Sequence, residues 1–299
     1  MPGTVSLTGI GERAAIRAIR LAPKQLYSTV VDWGARRRIP RALRMPLYTT
    51  YSRLVGADLK EVELPLADYD SFGEFFARRL RAGAREASTD MTAVASPCDG
   101  KVGAFGSIAD GSLLQAKGHH YRLADLLVDS ALTAKLARGE QVTIYLSPAD
   151  YHRVHAPMSA RFLGYTYVPG ARFPVGPFFT ERIDGVFAEN ERLVLELETD
   201  SGSMALVLVG ALGVGNLCLT DPRLESRELA GQETPIRVRF EEPISVARGQ
   251  ELGAFHLGST VVLAFSPGMF RCDGLRFGQR VDCGESMGRL SPAPSWMVQ

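Results

Sequence analysis

The chain has 299 residues, 45% of them hydrophobic, which is enough to bury a large core as one domain or a domain with a small appendage, and argues against disorder. Its formal net charge of +1 conceals an asymmetry: residues 1–50 hold nine Lys/Arg against two Asp/Glu, a net of +7, and the rest holds 25 basic against 31 acidic residues, a net of −6, so the basic end suits nucleic acid or an acidic lipid surface. The longest apolar run, Leu206 to Gly215, is about half the roughly 20 residues a membrane-spanning helix needs, and no apolar core with a small-residue cleavage site follows Met1, so neither a transmembrane helix nor a secretory signal is expected and the protein should stay on the cytosolic side.

In chain order, Arg13, Arg17, Arg20 and Lys24 recur at helical spacing and line one face, with Pro23 ending or kinking that helix. A second helix is expected around residues 25–35, with Leu26, Val30 and Trp33 on neighbouring turns and the run Arg36, Arg37, Arg38 behind them. An apolar face with a basic flank suits a membrane surface; a solvated appendage packed on the body fits the same pattern. Ser71-Phe72-Gly73-Glu74 has capping-box spacing, and Phe72, Phe75, Phe76 and Leu80 follow at helical intervals.

Beyond about Ala95 the period changes to two. Val142, Ile144 and Leu146 alternate, as do Leu193, Leu195 and Leu197 against Glu196 and Glu198, the pattern of half-buried strands. Asp200-Ser201-Gly202 marks a turn before Met204 to Val209, and Ile236, Val238 and Phe240 alternate with Arg237, Arg239 and Glu241. The expected class is α+β: a predominantly antiparallel β body with a compact, barrel-like core, N-terminal amphipathic helices and a few short helices.

Four cysteines, Cys98, Cys218, Cys272 and Cys283, stand apart with no C-x-x-C pair, which favours buried thiols over a zinc site or a disulfide framework. His152 and His155 lie three apart after the turn-like Ser147-Pro148-Ala149-Asp150, with no carboxylate or thiol nearby to complete a ligand set; no metal is expected. A hydroxyl nucleophile needs a base, and the base an orienting carboxylate. Ser259, His155 and Asp99 supply the three residue types, and chain order neither supports nor excludes their meeting.

Leu257-Gly258-Ser259-Thr260 after Glu251-Leu252-Gly253, the segment Tyr151 to Pro157 and the segment Pro97 to Val102 resemble the processing, histidine and aspartate segments of phosphatidylserine decarboxylases, the pyruvoyl-dependent bacterial type. Gln115-Ala116-Lys117-Gly118, Phe187 to Arg192 and Phe75-Phe76-Ala77-Arg78 are similar too, all in family order from about Tyr51 onward. The resemblance implies a proenzyme in which Ser259, activated by His155 and Asp99, attacks Gly258. The products would be a β chain of residues 1–258 and an α chain of residues 259–299 whose first residue has become a covalent pyruvoyl group. That group would form a Schiff base with phosphatidylserine and release CO2 to leave phosphatidylethanolamine, with His152 as the proton donor. Residues 1–60 would be a membrane-associating region and residues 61–299 the catalytic domain, at the cytoplasmic face of an anionic membrane. Oligomeric state stays open, a homodimer included, and nucleic acid is not an expected partner.

Other readings weigh less. A decarboxylase of a soluble amino acid would share the processing chemistry but not the basic amphipathic start. A biotinyl-like binding module would need a lysine in the second half of the chain, and none lies there, the last being Lys135. A hydrolase of external esters lacks the G-x-S-x-G elbow around Ser259.

Overall fold

The computed structural model describes residues 30–31, 33–86, 88–116, 118–212, 217–220, 229, 232–255 and 259–291. The helix read from Arg13 to Lys24 lies outside them; of the second, the described residues 30–31 and 33–35 are helical. Among the described residues no helix is long and apolar enough to cross a membrane.

The strands in chain order are β1 (Ala93–Ala95), β2 (Gly100–Ser107), β3 (Ser112–Ala116), β4 (His119–Arg122), β5 (Glu140–Leu146), β6 (Arg153–His155), β7 (Ala160–Val168), β8 (Arg192–Thr199), β9 (Gly202–Val209), β10 (Leu217–Leu219), β11 (Ile236–Val246), β12 (Glu251–Phe255), β13 (Ser259–Phe265), β14 (Phe270–Cys272), β15 (Arg280–Val281) and β16 (Ser286–Leu290). Eight of them form one antiparallel sheet in the order β11-β7-β8-β9-β13-β5-β2-β15. The fold is α+β as the sequence implies, but the sheet is open, with β11 and β15 at its edges, and the expected barrel-like closure is absent. Two three-stranded sheets, β1-β16-β14 and β10-β12-β6, and the β3-β4 hairpin complete the strand set.

The central strands are buried on both faces rather than half-buried. Val142, Ile144 and Leu146 share one core with Val261, Leu263 and Phe265, and this core continues into Cys98, Val154, Leu252 and Phe255. Val207, Val209, Val262 and Ala264 point the other way into a second core closed by Leu123, Leu126, Leu132 and Leu136, from the short helices Leu123–Leu127 and Ser130–Leu136. Each such aliphatic side chain contributes roughly 1.5–3 kcal/mol by leaving water. Glu196, which suggested a solvent face, is buried and paired with Arg239 at 2.9 Å and Lys135 at 3.4 Å. On the edge strand β11, Ile236, Val238 and Phe240 do alternate with exposed Arg237, Arg239 and Glu241.

N-terminal to the sheets, the helix Arg41–Val55 packs over the short helix Phe72–Phe76. Ser71 caps the latter by accepting the Glu74 N–H at 3.2 Å, while Glu74 reaches back to the Asp70 N–H at 2.8 Å, one residue earlier than an ideal capping box. Leu80 lies beyond the helix and bridges to Val62. The stacked rings of Tyr48 and Phe75, 4.3 Å apart, centre a third small core.

Candidate active site

Asp99 lies just before β2 and is 1% exposed. Glycine must follow it, because a Cβ on Gly100 would sit 2.5 Å from the Tyr145 carbonyl oxygen of the adjacent strand. The histidine segment forms β6, paired with β12 so that His155 stands opposite Glu251 and Arg153 opposite Ala254. The His155 N–H donates to the Pro97 carbonyl at 2.8 Å, and the Phe255 N–H to the His152 carbonyl at 2.9 Å. The aspartate segment, the histidine segment and the chain entering the processing segment are thus knitted together by backbone bonds.

Ser259 opens β13 and stands opposite Leu146 of β5. Side chains alternate along a strand, so Ser259 shares the face of Val261 and Leu263, the core face that also holds Cys98 and Val154. Its hydroxyl is buried without a hydrogen-bond partner among the described residues. Gly258 and His256 lie outside the described residues. His119 pairs with Asp184.

Backbone carbonyls set the tautomers of both imidazoles. A carbonyl can only accept, so His152 Nδ1–H donates to Asp150 O at 2.8 Å and His155 Nδ1–H to Gly249 O at 2.8 Å. The Nε2 atoms are therefore the basic ones. Tyr151 Oη–H donates to His155 Nε2 at 2.9 Å, whereas His152 Nε2 is buried with no partner among the described residues. Burial is the main cause that pushes His152 down to about 4 and holds His155 below its usual value. Both imidazoles are neutral near pH 7.

Asp99 makes no hydrogen bond to His155. Its carboxylate accepts from Arg85 Nε at 2.8 Å and Arg85 Nη2 at 2.6 Å, a bidentate pair, and from the Cys283 N–H at 2.8 Å. Arg280 approaches to 3.7 Å and bonds Asp150 at 2.7 Å. Asp99 reaches both imidazoles through space, its negative charge favouring their protonation. Hydrogen bonds donated to Asp99, first, and the carboxylate's charge hold the Arg85 guanidinium above its ordinary range.

Arg85, Gly249, Arg280 and the partnership of Tyr151 with His155 were not read from the sequence. Nothing periodic marks Arg85, and its pairing with Asp99 depends on the path of the loop 81–86. Tyr151 could have been suspected, being four residues from His155. Among the described residues no group of three His, Cys, Asp or Glu is placed to hold a metal ion, and all four cysteines are free.

The model of the family described as phosphatidylserine decarboxylase matches residues 72–289, a span that holds Asp99, both histidines and Ser259. The α+β fold with this site therefore belongs to the class of decarboxylases. The phosphatidylserine decarboxylase proenzyme of Anaeromyxobacter sp. (strain K) is 45% identical over 281 residues, covering 93% of this chain and 99% of its own. The proenzymes of the same name from Bordetella petrii and Myxococcus xanthus are 40% and 35% identical, covering 84% and 86% of this chain and 88% and 91% of their own. The chain belongs to the phosphatidylserine decarboxylase family.

Proposed function

We propose that this chain is a proenzyme that cuts itself between Gly258 and Ser259 and then removes CO2 from phosphatidylserine to give phosphatidylethanolamine. The observation that carries the reading is the Ser259 hydroxyl, buried in an apolar layer with no partner among the described residues. Leaving such a group unpaired costs about 1–3 kcal/mol; the Thr143 and Thr260 hydroxyls are buried in the same way, and Ser259 differs from them in following Gly258 directly at the start of β13.

In the first reaction, His155 Nε2 takes the Ser259 proton once Tyr151 yields its place, and Oγ attacks the Gly258 carbonyl carbon. The C–N bond breaks, an ester forms, and the proton passes to the new amine of residue 259. Loss of the Cα proton expels the Gly258 carboxylate and leaves dehydroalanine, which hydrolyses to a pyruvoyl group and ammonia. Asp99 stabilises the imidazolium of His155 through its field. The chain's residues fit the group: Ser259 starts a strand packed on both faces, so a ketoacyl group there would be rigidly held and shielded from water.

The pyruvoyl group, once formed, supplies the electron sink for the breaking bond between Cα and the carboxylate. His152 is neutral, so it acts first as a base. Its Nε2 takes a proton from the substrate ammonium and later returns it to Cα, replacing the lost CO2.

Residues 30–54 support a membrane-associating role for residues 1–60, with residues 61–299 as the catalytic domain. Val30, Trp33, Leu43, Met45, Leu47 and Leu54 are exposed, the basic run Arg36 to Arg38 falls between Trp33 and Leu43 in the chain, and Arg37 stacks on Trp33 at 4.2 Å. This combination suits peripheral attachment to an anionic leaflet, on the cytoplasmic face.

Intact-mass analysis tests the reading. Wild-type protein should give two fragments, the C-terminal one with a blocked start and missing an amino group, and should release CO2 from phosphatidylserine vesicles. A single 32.5 kDa species, or two fragments with a free N-terminal serine and no CO2 release, would contradict it.

A further inference from the structure

The buried cation whose charge acts on His152 is Arg78, which the reaction scheme does not use. Arg78 is 3% exposed and forms no ion pair with a carboxylate among the described residues. Its Nη2 donates to the Ala149 carbonyl at 3.1 Å, its Nε has no partner, and its guanidinium lies over the Phe75 ring at 5.5 Å. A buried charge without a paired counter-ion is costly, and a methionine would fill the space as an uncharged residue. The cost calls for a compensating role.

The turn that Arg78 holds is the one that presents His152. Asp150 closes it by accepting from Ser147 N–H at 2.7 Å and Ser147 Oγ–H at 2.6 Å. Tyr51 Oη–H donates to the Pro148 carbonyl at 3.3 Å from the N-terminal helix. The next carbonyl along, that of Asp150, captures His152 Nδ1–H, and the Phe76 ring covers the imidazole at 4.1 Å. Arg78 and Phe76 thus grip the turn and the ring from one short segment. The charged groups around His152 are Asp150, itself bonded to Arg280, Asp99, itself bonded to Arg85, and Arg78. Arg78 is the cation among them without a carboxylate hydrogen-bonded to it.

We propose that Arg78 is a positioning residue for His152: it fixes the Ala149 carbonyl and with it the turn whose Asp150 carbonyl locks the imidazole, so that Nε2 remains the bare nitrogen that exchanges protons. Its charge adds to burial, the main cause, in opposing protonation of the imidazole. The inference rests on the assignment of His152 to proton transfer in decarboxylation.

The test uses Arg78→Met and Arg78→Lys in the full chain, with fragment masses, an NMR titration of the histidine rings, and kcat and KM for CO2 release from phosphatidylserine in mixed micelles across pH. Both variants should self-cleave. In Arg78→Met the His152 midpoint should rise and kcat fall about tenfold near neutral pH as the ring loses its fixed orientation, with KM within about twofold. Arg78→Lys, which keeps the cation, should restore the midpoint and part of kcat. An unmoved midpoint with unchanged kcat overturns the proposal. So does a rise in KM alone, which makes Arg78 a substrate-binding group, or failure of both variants to fold and cut, which makes it a structural strut. If wild-type protein releases no CO2 while the midpoint still shifts in Arg78→Met, the decarboxylase reading fails and the positioning of His152 stands.

Discussion

Replacing Asp99 with asparagine separates its two possible contributions, one to stability and one to self-cleavage. The carboxylate accepts two N–H groups on Oδ1, from Arg85 and Cys283, and one from Arg85 on Oδ2. Asparagine can keep the Oδ1 contacts, but its amide then turns donor hydrogens toward Arg85 Nη2. Removing one partner of a buried ion pair costs about 3–5 kcal/mol. Arg85 retains Glu61 at 2.9 Å and is partly exposed, so the lower end, about 3 kcal/mol, is expected. In a Ser259→Ala background, which keeps one uncut chain, Asp99→Asn should lower the urea midpoint by about 1 M at unchanged slope. In the Ser259 protein, cutting should slow by about tenfold, because Asp99 acts on His155 through its field alone, whereas removing a general base costs about 10²–10⁴. A midpoint unchanged within error would refute the stability argument. Cutting as slow in Asp99→Asn as in His155→Ala would refute the field argument and restore a direct hydrogen bond between the two residues.

His155→Ala should remain a single chain by intact mass, and His152→Gln should self-cleave yet release no CO2; an uncut His152→Gln would remove the division of labour between the histidines. His152, pushed down to about 4 in the fold against 6.5 when free, stabilises the protein fully above pH 6.5. The unfolded chain binds the proton first on acidification, so stability on the order of 3 kcal/mol is lost between pH 6.5 and about 4. His152→Gln should flatten that slope in denaturant titrations. Burial likewise holds His155 below its ordinary value, so self-cleavage should stay level down through pH 6.5 and slow only at more acidic pH, measured on freshly synthesised protein. Changing Arg36, Arg37 and Arg38 to alanine should weaken binding to anionic vesicles at least about tenfold in flotation assays, since each basic side chain near such a surface contributes up to about 1 kcal/mol. Unchanged binding would remove that run from the docking surface.

Legible in the sequence were the features that depend on neighbours along the chain. The capping box at Ser71, the strand alternation of Ile236 to Phe240, the turn before His152 and the α+β class all follow from local spacing. So does the basic, apolar character of residues 30–38, since charge and apolar area are read residue by residue. Features set by distant contacts were not legible. Whether Leu193, Leu195 and Leu197 face one core or stand beside another depends on helices from elsewhere covering the second face, which turned an expected half-buried strand into a central one and buried Glu196 between two cations. Asp99 could have met His155; instead the loop that carries Arg85 brings a bidentate donor to it, and the Gly249 carbonyl takes the imidazole proton that a carboxylate would otherwise hold. A residue's own chemistry is written in its side chain. Its partner is chosen by sheet register and loop path, which are settled only when the whole core packs.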